Sequence, residues 1–119
     1  MDRRKELILA YKQTPTPMGV YQVKNCTNGK VLIGSSMNLP GRFNRLRFQL
    51  KANANPIRSL QAEWNDQGAD VFTFEVLETL NPDKVPKDDW RKALAAMEDK
   101  WLNEIKPYGL RGYNKEKAD

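Results

Sequence analysis

Arg42, Arg45, Arg47 and Lys51 fall within ten positions of one another with no acidic residue among them. Such a cluster raises the local concentration of polyanions. The rest of the inventory is defined by a gap: none of the 119 residues is histidine. That excludes Ser-His-Asp and Cys-His sites, and zinc sites built on imidazole. Cys26 is the only cysteine, so no intrachain disulfide can form and a reducing cytoplasm is its natural home. With no histidine to activate it, it is expected as a small, partly buried residue rather than a nucleophile. Catalysis here must run on carboxylates, tyrosines, lysines, arginines or a hard metal ion.

The charge is asymmetric. Residues 1–60 hold 11 Lys/Arg against two Asp/Glu, a net of +9, and residues 61–119 hold nine against 13, a net of −4. Charge alone fits a polyanion-binding face and a merely solvated basic surface about equally. No membrane association is expected, because runs such as Leu7-Ile8-Leu9-Ala10 fall far short of the roughly 20 apolar residues needed to cross a bilayer. The start, Met1-Asp2-Arg3-Arg4-Lys5, lacks the apolar stretch of a signal peptide behind it.

The elements that must position these residues fit one domain. A short helix is expected over 2–13, ended by Thr14-Pro15-Thr16-Pro17. Residues 18–35 read as a β-hairpin closed by Asn28-Gly29, the pair favoured in a type I′ turn. A helix over 41–53 sets Phe43, Leu46 and Leu50 as an apolar stripe among the basic residues. A second helix is expected from an Asn55-Pro56 cap to Gly68, burying Ile57, Leu60 and Trp64. A third strand spans 70–80. A last helix over 88–105 buries Trp90, Leu94, Met97, Trp101 and Ile105, and Pro107 stops it. The fold class is α+β: a small three-stranded antiparallel sheet flanked by helices, in the order α-β-β-α-α-β-α. The N-terminal helix and proline-containing linker take 1–17, the domain 18–114 and a charged tail 115–119.

Several blocks in this order resemble the GIY-YIG nuclease superfamily. Gly19-Val20-Tyr21 matches the GIY element, and Leu32-Ile33-Gly34-Ser35-Ser36 the YIG element with the small polar residues after it. Asn38-Leu39-Pro40-Gly41-Arg42 resembles the approach to the family's arginine helix. Asn55, Leu60–Asn65, Phe74–Glu78, Glu98–Trp101 and Tyr113-Asn114 follow in sequence. The resemblance covers about residues 18–114.

The resemblance implies hydrolysis of a nucleic-acid phosphodiester, DNA foremost, with one Mg²⁺ or Mn²⁺ ion. It implies that Glu98 is the metal ligand, Arg42 the phosphate clamp and Tyr21 the GIY tyrosine, the three together being catalytic. Asn114 and Ser36 would be accessory polar residues. Arg42, Arg45, Arg47, Lys51, Arg58 and Lys30 would contact nucleic acid. One carboxylate with a substrate phosphate suits Mg²⁺, which keeps most of its waters. Arginine's planar fork matches phosphate oxygens and stays charged at any working pH.

Each carried-over residue also has a plainer role open to it. Glu98, one position off the expected stripe, could be a helix-surface charge, and Arg42 one more solvated base. Tyr21 could simply pack its ring, and Asn114 cap the tail.

Two positions depart from the family pattern. Leu32 stands where the YIG tyrosine would be, and Leu46 stands where many members place a histidine. General-base candidates shrink to Tyr21, a lysine such as Lys24 or Lys30, or no protein base at all. Loss of a positioned base costs roughly 10²–10⁴-fold in rate. Three readings follow in order: a nuclease of weakened or unusual chemistry, a catalytically silent nucleic-acid-binding module, and a scaffold that keeps only the fold. The first requires Tyr21, Arg42 and Glu98 to converge.

Overall fold

β1 (Gly19–Asn25) organises the sheet, and its sequence explains why. Val20, Tyr21 and Val23 are all buried, so apolar side chains cover both faces of the strand. β1 pairs antiparallel with β2 (Val31–Ser36) on one side and with β3 (Phe72–Thr79) on the other, giving the order β2-β1-β3. The expected three-stranded antiparallel sheet is therefore present. The computed structural model describes residues 16–115. The helix expected over 2–13 and the tail from 116 onward lie outside the described residues.

Three helices complete the described fold: α1 (Leu39–Lys51), α2 (Arg58–Gln67) and α3 (Trp90–Ile105). On one face of the sheet, Tyr21, Val23, Leu32 and Phe72 pack against Leu39, Leu46 and Leu50 of α1 and Leu60 and Trp64 of α2. On the other face, Val20, Val31 and Ile33 pack against Leu102 of α3, with Met97, Trp101 and Ile105 alongside. A β-bulge falls where β1 passes from Val20 to Tyr21 opposite β3. The extra β3 residue, Leu77, brings Glu78 onto the α3 side, where it accepts from Trp101 Nε1 at 2.8 Å and pairs with Lys100.

The boundaries differ from expectation for local reasons. The hairpin loop is not a two-residue type I′ turn. Strand pairing ends at Lys24 and Val31, and the Gly29 N–H donates to the Asn25 carbonyl at 2.8 Å. The Asn25 side chain accepts from the Thr27 backbone and hydroxyl, so the turn starts earlier, and only Gly29 takes a positive φ, 77°. Cys26, in this loop, is exposed rather than partly buried.

Helix α1 starts at 39, not 41. Asn38 caps it by accepting from the Gly41 N–H at 2.9 Å, and Pro40 sits in the first turn, where no N–H is needed. Helix α2 starts at 58 instead, because Asn55 spends its side chain on the Ile57 N–H in a local turn. A short 3₁₀ turn, Lys87–Asp89, precedes α3. The stripe expected on α3 is also redistributed. Leu94 and Leu102 are buried, whereas Trp90, Met97, Trp101 and Ile105 are half-buried.

The chain after α3 seals an edge. Gly112 bridges Val31, Tyr113 N–H donates to the Val31 carbonyl at 3.0 Å, and the Asn114 amide engages Ile33. The outer edge of β2, an open row of donors and acceptors in a bare sheet, is covered by this tail.

Candidate active site

Tyr21 lies on the α1/α2 face of β1, directly opposite Gly34 of β2. Its ring crosses that glycine, and a Cβ at 34 would collide with the phenol. Phe43 of α1 meets the ring edge-on, with centroids 5.6 Å apart and planes at 89°. The second glycine motif thus makes room for the tyrosine of the first.

Arg42 occupies the first turn of α1, whose N–H groups add positive potential. It and Arg45, one turn later, line a cleft of about 240 Å³ with Tyr21, Leu32, Leu46 and Gln49. Leu32 and Leu46 give the cleft apolar lining, each only 7% exposed.

Glu98 approaches from the opposite face of the sheet. On α3 it stands four residues from both Leu94 and Leu102, the two buried leucines, so it is on the ridge facing the sheet rather than off it. The half-buried carboxylate accepts a hydrogen bond from the Ser35 hydroxyl at 3.4 Å. Tyr21 senses both charges. Burial pushes its hydroxyl above the ordinary tyrosine range, the Arg42 guanidinium beside it pulls it down, and Glu98 pushes it up again. Burial wins, and Tyr21 remains a neutral phenol at ordinary pH. The surroundings of the Tyr21 hydroxyl thus include the charges of both Arg42 and Glu98, although Glu98 comes from behind the sheet and does not line the cleft.

Other expected residues serve elsewhere. The Ser36 hydroxyl is held by the Asn38 backbone, as donor and acceptor at 3.0 Å each. Its neighbour Ser35 is the serine that reaches Glu98; counting alternation from Ile33 puts Ser35 on the α3 face. Asn114 accepts from the Ile33 N–H and donates to its carbonyl, both at 2.8 Å, so it pins the β2 edge. Lys30 pairs with Glu63 at 3.1 Å, which removes it from the basic surface. Arg47 stacks over Phe74, 4.3 Å from the ring centroid, and lines a separate groove with Phe43 and Val76. Lys51 and Arg58 are exposed, outside the cleft.

Among the described residues no group of three or more Asp, Glu or Cys side chains could hold a metal ion. Glu98 is a single carboxylate with the Ser35 hydroxyl beside it, so its surroundings offer hard oxygen donors. That donor set fits a cation that keeps several waters, as Mg²⁺ does.

No protein-family model matches the chain. Intron-associated endonuclease 1 of Enterobacteria phage T4 is 29% identical over 96 residues, 81% of this chain but 36% of that protein's length. The fold matches a solved variant of the catalytic domain of intron endonuclease I-TevI with TM-score 0.71 and 26% identity, covering 87% of this chain and 98% of that one. A second structure of the catalytic domain of homing endonuclease I-TevI gives TM-score 0.68 and 28% identity, over 84% and 99%. These likenesses support the GIY-YIG nuclease superfamily for this fold. The chain spans about a third of the curated relative it matches, and it corresponds to almost all of the solved catalytic domains.

Proposed function

We propose that this chain is an endonuclease domain that hydrolyses DNA phosphodiester bonds with one divalent cation, Mg²⁺ or Mn²⁺, held by Glu98. The observation that carries the proposal is the Tyr21 hydroxyl, which lies within electrostatic reach of both Arg42 and Glu98. A guanidinium and a carboxylate near one phenol are what a phosphate, a cation and an attacking water require together. When bound, the cation neutralises charge developing on the phosphate and acidifies water.

The chain's own residues do the rest. The Arg42 fork binds two phosphate oxygens and remains charged throughout. Tyr21, kept neutral by burial, orients by hydrogen bonding rather than by ionising. Ser35 steadies the Glu98 carboxylate from β2. Arg45 extends phosphate contact along the cleft, with Lys51 and Arg58 exposed to a longer strand.

A second reading has an observation of its own. Leu32 and Leu46 leave the cleft without a proton acceptor, and Tyr21 is shifted away from serving as one. A domain that binds DNA without cutting it fits those facts. A positioned base is worth roughly 10²–10⁴-fold, so a slow nuclease fits them as well. Nicking of supercoiled plasmid with Mg²⁺ or Mn²⁺, beside Arg42→Ala and Glu98→Ala, separates the two. Salt-sensitive retention without nicking would favour the binder.

A further inference from the structure

The cleft beside Arg42 is a poor place for hydrated phosphate alone. Leu32, Leu46, Pro56 and Ile57 line it beside Tyr21 and Asn55, and its apolar part cannot return the hydrogen bonds that a phosphate gives up on entering. Its two arginines differ: Arg42 and Arg45 stand one helical turn apart, with Cβ atoms about 5–6 Å apart, a spacing that lets them hold neighbouring phosphates of one strand. Gln49, one turn beyond Arg45, also lines the cleft, and its Oε1 accepts from Asn55 Nδ2 at 3.3 Å. Among the described residues its Nε2 donor has no hydrogen-bond partner.

Apolar side chains, the Tyr21 ring, the Gln49 amide donor and two guanidiniums lining one cleft match a nucleotide whose base has left the stack. A base offers two apolar faces and an acceptor-bearing edge, while its flanking phosphates stay outside. At about 240 Å³ the cleft lies just below the roughly 300–1,000 Å³ of drug-sized ligand sites, the scale of one planar heterocycle. We infer that the cleft accepts a single unstacked nucleobase, so that this domain prefers nucleic acid with an unpaired base beside the bound phosphates. The inference rests on the nucleic-acid part of the proposed function and is independent of cleavage. Leu32 and Leu46 belong to the apolar lining that receives it.

Unpairing and unstacking a base costs a few kcal/mol, least when the base is already unpaired. A duplex with one unpaired 2-aminopurine should bind the full chain at least about tenfold more tightly than its fully paired counterpart. The probe's fluorescence should rise on binding as it leaves the stack. Leu32→Phe, which fills the cleft, and Gln49→Ala, which removes the donor, should each erase the preference while paired duplex still binds. Gln49 is half-buried and on a helix, so its variant keeps the test valid if Leu32→Phe fails to fold. Equal affinity for the two duplexes with no fluorescence change would overturn the inference and leave the proposed function standing. Failure to bind either duplex would overturn both.

Discussion

The phenol of Tyr21 fills the space that a side chain at residue 34 would need, and the strand register sets glycine directly opposite it. The pair couples two strands at the point where Arg42 and Glu98 both act on the same hydroxyl. Any side chain at 34 would push that hydroxyl out of place. Gly34→Ala should therefore cost about 1–3 kcal/mol in urea unfolding, the range for overpacking. Tyr21→Phe in that background should recover part of the loss, because the hydroxyl is the nearest atom to the added methyl. Purely additive effects of the two changes would show that the strands are not coupled in this way.

Asn114 is expected to act on the fold before it acts on chemistry. Its two hydrogen bonds to Ile33 contribute about 0.5–1.5 kcal/mol each. Asn114→Ala should cost about 1–3 kcal/mol and speed hydrogen exchange at the Ile33 amide. Asn114→Asp should cost more, since a carboxylate oxygen would then face the Ile33 carbonyl. Unchanged stability with lost activity would instead make Asn114 part of the chemistry.

Neighbouring basic residues should separate by salt dependence. Arg45 lines the cleft, so Arg45→Ala should reduce the slope of log K against log salt for DNA binding by about 1. Lys30 is committed to Glu63, so Lys30→Ala should leave that slope unchanged and cost no more than about 1 kcal/mol of stability. Equal slope changes would mean that Lys30 leaves Glu63 for DNA.

Tyr113 gives a prediction in alkali. Burial, with the Glu63 carboxylate nearby, pushes its hydroxyl up to about 12 from 10.0. The native state thus holds this proton more tightly than the unfolded chain does. The resulting stability is fully present below about pH 10 and is lost as pH rises through about 12. Tyr113→Phe should flatten the fall of the urea midpoint over that window at little cost near pH 7. An unaltered alkaline profile would show that the hydroxyl does not titrate with unfolding. Tyr21, also raised by burial, should leave a smaller dependence behind.

What the sequence disclosed and what it hid divide along physical lines. The hairpin, the strand over 72–79 and the three helices rest on short-range patterns, and each is present. Arg42 and Tyr21 were legible because motif spacing fixes them on known faces of a strand and a helix. Glu98 lies one position off the stripe that Trp90, Met97 and Trp101 outline in the sequence, yet Leu94 and Leu102, four residues either side of it, carry the burial at the sheet. Ser35 and Ser36 differ by one position and therefore by a whole face, which only the register decides. The fates of Lys30 and Arg47 were hidden because their partners, Glu63 and Phe74, are distant in sequence. Local propensity holds no information about such pairs.

The most direct measurement is the rate of plasmid nicking by the full chain in Mg²⁺ or Mn²⁺, compared with Glu98→Gln, Arg42→Ala and the double variant. Two groups serving one phosphodiester should be non-additive, so the double variant should be hardly slower than the worse single one. Glu98→Gln should also abolish the metal dependence while leaving DNA retention intact. Nicking that survives Glu98→Gln with its metal dependence unchanged would contradict a shared site for Tyr21, Arg42 and Glu98.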